Sequence, residues 1–242
     1  LSSYEVFDIV ILKKEMTLMN DLTAPLDGRI LIVTAVDAER DAALRGIGDA
    51  PGFVVVAAGV GPAFAAAGAA FALAEGGYAL AVSAGIGGGF AGRAGVGELV
   101  VADAIHAADL GAETPEGFRD VEALGFGSTR FAVDTALAGR WAEALRRAGR
   151  VAALGPIATV STATGTAATT AELAARIPGV AAEGMEGAGV AAAAFKAGVP
   201  ALEIRAISNA VGPRDRAAWR IGDALQALEA AFAIFSEEVR TR

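Results

Sequence analysis

Cysteine is absent from the chain, and His106 is the only histidine among its 242 residues. The first absence removes disulfides, thiolate nucleophiles and thiolate metal sites together. The second removes any zinc site built from several imidazoles, so no metal site is expected. Basic residues are also in short supply, with 20 Lys and Arg against 28 Asp and Glu and a net charge of −8, and they form no cluster. A nucleic-acid binder needs a basic face to neutralise phosphates, so nucleic acid is excluded as a partner. Aromatic residues are only 6% of the chain. The core must therefore come from Ala, Val, Leu and Ile, and at 54% hydrophobic residues it is large. With thiols gone and imidazole nearly so, acid–base work falls to carboxylates. The lack of thiols agrees with a reducing compartment, and a cytoplasmic location is expected.

One stretch, Phe53 to Ala74, carries no charge and is long enough to span a bilayer. It is mostly Ala, Gly and Val, and Gly59, Gly61 and Pro62 interrupt it, so it reads as a strand, a glycine turn and a buried helix. No membrane association is expected. At the N-terminus Asp8 interrupts the apolar run Val6 to Leu12, and no small-residue cleavage site follows, which argues against a signal peptide. Met16 and Met19 precede the first clear strand. Residues 1–28 are set aside as an N-terminal extension or mis-called start, and 29–242 are taken as a single domain.

A continuous β-branched run predicts a buried strand at 29–36, with further strands at 53–57, 78–83, 97–104, 151–161, 180–182 and 201–210. Between them lie predicted helices at 37–44, 63–74, 134–148 (Asp134 as N-cap), 166–176, 185–197 and 215–239. Segment 84–89 reads as a glycine loop and 106–130 as a long loop. The alternation gives an α/β class, a three-layer α/β/α arrangement around a mixed, mostly parallel twisted sheet. Ligands of such sheets bind beyond the carboxyl ends of the strands, where Glu39, the 84–89 segment, Glu186 and Asn209 fall.

Three familiar chemistries are excluded by context. Gly87-x-Gly89-x-x-Gly92 matches a dinucleotide fingerprint in letters, but the following Arg93-Ala94-Gly95-Val96-Gly97 is not helical. No GxxxxGK[ST] segment is present, so no nucleotide cofactor is expected. Ser83 stands near a nucleophile elbow whose first glycine is alanine, and His106 follows too soon to complete a triad. The remaining glycines bring backbone close to backbone or ligand, which makes Ile86 and Gly87 candidate pocket wall.

Glu39 follows a buried strand. Glu183-Gly184-Met185-Glu186-Gly187-Ala188-Gly189 sets two acids and a methionine among three glycines at a helix entry. Glycine costs about 1 kcal/mol per residue inside a helix, so its repetition implies close packing there. Arg205, Ser208 and Asn209 put polar groups at the end of a buried strand, where each needs a partner or ligand.

In order, TAVDAE (34–39), AGVGPAFAA (58–66), SAGIGGGF (83–90), EGMEGAGVA (183–191) and EIRAISN (203–209) resemble the purine nucleoside phosphorylase and nucleosidase superfamily. They are closest to the nucleosidases that hydrolyse methylthioadenosine and S-adenosylhomocysteine. Asn209 stands where those enzymes carry aspartate. With the tail from Asn209 to Arg220 and the segment from Ala108 to Thr114, it brings the chain nearest to the futalosine hydrolases of menaquinone synthesis.

The resemblance implies that Glu39 is the general base on the attacking water. Glu186 accepts from the ribose hydroxyls and Met185 packs on the sugar. Arg205 positions water and acids, and Ser208 holds Asn209 against the purine. Asparagine cannot protonate N7 as aspartate does, so the expected leaving base is hypoxanthine and Asn209 is expected to choose it. Arg214, Arg216 and Trp219 are candidates for the far, carboxylated aromatic end of the substrate. Relatives imply a homodimer or higher homo-oligomer.

Three alternatives stay open. One is an adenine-releasing nucleosidase. Another is a phosphorylase, for which Arg40 and Arg93 are the available cations although Glu39 would repel phosphate. The third is a non-catalytic nucleoside-binding protein.

Overall fold

The computed structural model describes residues 28–240; the N-terminal extension, up to residue 27, lies outside the described residues. Strand β1 (Arg29–Thr34) leads to α1 (Asp37–Ile47), then β2 (Phe53–Ala57), α2 (Pro62–Leu73) and the long β3 (Tyr78–Gly89). There follow β4 (Leu99–Ala107), the hairpin strands β5 (Gly111–Thr114) and β6 (Gly117–Asp120), and β7 (Arg130–Ala132). The second half runs α3 (Thr135–Arg147), β8 (Ala152–Thr159), α4 (Ala167–Arg176), β9 (Ala182–Gly184), α5 (Gly187–Ala197), β10 (Ala201–Ala210) and α6 (Ile221–Arg240).

Strand periodicity separates two cores. Ile30 and Ile32 of β1 join Ala42, Ile47, Trp141, Leu228 and Phe232 beneath α1, α3 and α6. Leu31 and Val33 point the other way, with Ala65, Ala69, Val190 and Ala194 of α2 and α5. Small residues let the helices come close on that side: a Cβ on Gly189 would run into the backbone of Pro62. As helix caps, Asp134 accepts from Leu137 N at 2.8 Å, and Thr166 accepts from Thr169 N at 3.1 Å.

The sheet is mixed, but it is not an open layer. β3 pairs β1 in parallel over its first half, from Tyr78 to Ser83, and β10 in parallel from Ala81 to Gly89. At Gly88 and Gly89 it pairs β9 antiparallel. Through β10–β4 (antiparallel), β4–β8 (parallel) and β8–β9 (parallel), five strands close into a ring. β1 and β2 form a wing on β3, and β7 adds to β4.

The ring corrects the reading of 84–89 as a loop. Its glycines suit strand pairing here because neighbours occupy the space their side chains would fill: a Cβ on Gly85 would sit 2.6 Å from Glu39 Oε1, and one on Gly87 2.6 Å from Glu183 O.

Other boundaries move for local reasons. Segment 106–130 contains the end of β4, the β5–β6 hairpin and the start of β7. The hairpin alternates exposed and half-buried residues, so it leaves no hydrophobic period to read. The final helix starts later than expected, because Asp215 caps a separate 3₁₀ turn at Arg216–Ala218 and Trp219 is extended. The uncharged stretch forms β2, a turn and α2, and among the described residues no helix is long and apolar enough to cross a membrane.

Candidate active site

A cavity of about 480 Å³ opens where β3 exchanges β1 for β9. At that point the carboxyl end of β1 and the last residues of β3 and β10 diverge around one space. Glu39, Ile86, Gly87, Met185, Glu186, Ser208, Asn209, Arg214 and Trp219 all border it. Two expected residues do not. Arg205 lies behind the wall, 1% exposed, and Arg216 is exposed on the 3₁₀ turn without lining the cavity.

Arg205 organises the site from below. Its Nε donates to Glu203 Oε1 and its Nη1 to Glu186 Oε2, each at 2.8 Å, and Nη2 donates to Ser83 Oγ at 3.0 Å. Burial disfavours the charged guanidinium, but Glu203, Glu186 and Glu39 outweigh it and hold the pKa above its ordinary value. Glu203 is fully buried and pushed upward by desolvation, against the pull of Arg205. Its Oε2 has no hydrogen-bond partner.

The glycines of the sequence motif make this cluster possible. A Cβ on Gly184 would lie 2.6 Å from Arg205 Nε, and one on Gly187 would collide with the Glu203 carboxylate. Ser83 is thus a ligand of Arg205, not a nucleophile. His106 lies on β4 and does not line the cavity; burial and nearby Arg130 lower its pKa.

Glu39 sits in the first turn of α1, 4% exposed. Its Oε2 accepts from Ala35 N at 3.0 Å and Val36 N at 3.2 Å, and its Oε1 accepts from Ile86 N at 2.9 Å. Desolvation raises its pKa above the usual carboxylate value. The Ile86 N–H and Arg205 oppose that shift, and the Glu186 charge adds to it. A buried carboxylate poised in this way is a natural proton acceptor.

Glu186 precedes α5 and receives the Gly61 N–H at 3.1 Å. Gly61 caps α2 with φ +92, a left-handed conformation that suits glycine and turns its N–H to the carboxylate.

At the other end, Asn209 Oδ1 accepts from Ser208 Oγ at 2.8 Å and Nδ2 donates to Ala210 O at 2.9 Å. The amide is fixed with one N–H still free for a ligand. Two further residues border this end that the sequence did not single out. Glu183, 7% exposed, accepts from Thr164 N at 2.9 Å and from the Thr164 hydroxyl. Burial raises its pKa and Thr164 pulls it back. The signal for Glu183 was its place in the same glycine-rich motif as Glu186. At the mouth the Arg214 guanidinium stacks over the Trp219 ring, 5.2 Å from its centroid.

Residues 50–239 match the Phosphorylase superfamily model. The futalosine hydrolase of Streptomyces coelicolor is 54% identical over 220 residues, which cover 82% of this chain and 91% of that protein. That of Acidothermus cellulolyticus is 47% identical over 216 residues, covering 84% and 88%. In fold the chain is similar to the 5'-methylthioadenosine/S-adenosylhomocysteine nucleosidase of Neisseria meningitidis in complex with methylthio-immucillin-A. The TM-score is 0.74 and the identity 21%, with 89% of this chain and all of that one covered. The chain belongs to the Phosphorylase superfamily and, within it, to the futalosine hydrolases.

Proposed function

We propose that this chain hydrolyses the N-glycosidic bond of futalosine, releasing hypoxanthine and leaving the dehypoxanthine sugar. Bond cleavage builds oxocarbenium character on the ribose. The Glu186 carboxylate, fixed by Gly61 and Arg205, accepts from the ribose hydroxyls and stabilises that charge more in the transition state than in the substrate. Met185 packs against the sugar. Glu39 takes a proton from the water that captures the cation. Asn209 donates its free N–H to N7 of the departing base, and Ser208 keeps the amide in that orientation. Arg205 acts through the carboxylates it holds. Arg214, supported by Trp219, meets the carboxylated aromatic end at the mouth.

The observation that carries hydrolysis over phosphorolysis is the use of the backbone donors. The backbone donors beside Glu39 that could take an anion are the N–H groups of Ala35, Val36 and Ile86, with Arg205 behind them. Glu39 holds all three N–H groups, and Arg205 is committed to Glu203, Glu186 and Ser83. Arg40 is paired with Asp37 and Asp41 on the surface, and Arg93 donates to Gly179 O; neither borders the cavity.

The test is a panel of futalosine, inosine, methylthioadenosine and S-adenosylhomocysteine with and without phosphate, read by chromatography of the released base. Free hypoxanthine from futalosine without phosphate supports the reading. A ribose 1-phosphate product, adenine release at an equal rate, or binding without any free base would each displace it in favour of one alternative. A cytoplasmic location and assembly as a homodimer or higher oligomer belong to the same proposal. Helix α2 carries no charged residue and leaves Phe64 and Phe71 66% and 81% exposed, and sedimentation tests the assembly.

A further inference from the structure

Glu183 has no part in the chemistry above, yet its carboxylate is buried and borders the cavity. Register places it. Glu183 pairs with Gly88 across β9 and β3, and Gly88 pairs with Asn209 across β3 and β10. The three residues form one row over three strands, and all three border the cavity. Neighbouring strands lie about 4.8 Å apart, so the row sets a carboxylate and an amide at its two ends with a bare glycine between them. A Cβ on Gly88 would lie 2.7 Å from Val211 Cγ2 and 3.4 Å from Asn209 Nδ2, so a side chain there would intrude on the amide end.

A 6-oxopurine presents N7, O6 and N1–H in that order along one edge. We propose that Glu183 is the residue that selects the base: it accepts the N1–H of a 6-oxopurine while Asn209 addresses N7 at the other end of the row. The assignment rests on the nucleosidase reading above and deepens it.

It also moves the selection away from Asn209. N7 is an acceptor in hypoxanthine and adenine alike, so an amide that presents N–H to N7 reads both the same way. N1 differs: it carries a proton in hypoxanthine and a lone pair in adenine. A carboxylate facing that atom gains a hydrogen bond from the first and faces lone-pair repulsion from the second. Thr164 supports the acceptor form, because both of its contacts donate to Glu183 and leave further lone pairs on the same oxygens. A site built to hydrogen-bond one group discriminates strongly against the analogue that lacks it.

The experiment compares wild type, Glu183→Gln and Thr164→Ser on futalosine and on its 6-amino-6-deoxy counterpart. Wild type is expected to prefer the 6-oxo substrate by at least ~100-fold in kcat/KM. Glu183→Gln is expected to lose about 10- to 100-fold on the 6-oxo substrate and to hold or gain on the 6-amino one, because the new amide donates to N1. Thr164→Ser keeps both donors and should preserve the wild-type ratio. Equal losses on both substrates in Glu183→Gln, or an unchanged ratio, would overturn the assignment.

A second arm uses binding alone. Wild type should bind hypoxanthine and reject 1-methylhypoxanthine by calorimetry, and Glu183→Ala, which removes both the acceptor and the bulk beside N1, should bind the two alike. If wild type binds the two bases equally, Glu183 does not read N1. Absence of base release from either nucleoside strikes at the reaction instead, and the calorimetric arm still decides the role of Glu183.

Discussion

Trp141 and Arg205 are both shut off from solvent, at 0% and 1% exposure, in surroundings of opposite character. Trp141 of α3 packs on Phe235 and Phe232 of α6, with ring centroids 4.1 and 5.7 Å away, and its indole N–H reaches Ala231 O at 3.3 Å. A chain poor in aromatics has concentrated several of them here. Around Arg205 the packing partners are three carboxylates, a serine and glycines that make room for them. The apolar region is held by many small contacts, so its losses are graded. In the charged region one guanidinium serves Glu203 and Glu186 directly and Glu39 through space, so removing one member leaves the others uncompensated.

The sharpest test of this division is Glu39→Gln. Loss of the proton acceptor should lower kcat by about 10³-fold while the substrate still binds, and stability should fall by about 1–3 kcal/mol, because the amide NH2 must face a backbone N–H that the carboxylate accepts. A mutant inactive only because it no longer binds would remove Glu39 from the chemistry.

Next come paired deletions, one in each region. Trp141→Ala should cost about 3–5 kcal/mol in urea unfolding and leave kcat of the folded protein unchanged. Arg205→Met should cost a similar ~3–5 kcal/mol and abolish turnover as well, since Glu186 loses its anchor. If Trp141→Ala lowered kcat too, the two regions would not be separable.

Gly184→Ala is a smaller intrusion. Its methyl group pushes on Arg205 Nε, and a cost of about 1–3 kcal/mol with reduced kcat is expected. Gly222→Ala on α6, where a Cβ meets nothing within 4 Å, should change neither.

The mildest probe is pH. Burial raises Glu39 and Glu203 above the ordinary carboxylate value of 4.5. In the proposed role Glu39 acts as the ionised base, so kcat/KM should fall as pH drops through its raised pKa, with the acid limb above 4.5. Stability runs the other way. A raised folded pKa contributes stability that is complete below the unfolded pKa and is lost as pH rises through the folded one. Activity should therefore climb over the window in which these two groups erode stability, and Glu203→Gln should flatten the dependence of Tm on pH there.

β2 and β10 appear with their predicted bounds, β2 as a short β-branched run although it is only half-buried, and β10 although Glu203 and Arg205 interrupt its apolar residues. The Asp134 cap was legible because a short polar side chain before an apolar period has few other uses, whereas Thr166, read as the first helical residue, is itself the N-cap. The second half of β3 was not legible. Its glycines carry loop propensity, and only β9, β10, Glu39 and Glu183 explain why the chain is extended there.

In the site, Glu39, Glu186 and Asn209 could be named from motif and resemblance, and the structure brings them to one cavity. Arg205 was named too, but its place behind the wall follows from Gly184 and Gly85, whose missing side chains admit it. Glu183 is one of the two acids of the motif, but the motif does not say which of them faces the base, and only the pairing of Gly88 with both flanking strands turns it towards the same space as Asn209.

β10 is the last strand in the chain, and its pairing with β3 closes the ring. It brings Arg205, Ser208 and Asn209 together in one step. Before it docks, Glu39 and Glu186 have no shared cation, and the space between them has no floor. A C-terminally shortened chain lacking β10 is therefore expected to lose nucleoside binding, however well its first half has formed. Non-local pairing of this kind is a slow event in folding, so the onset of ligand binding should report the completion of the fold rather than its beginning.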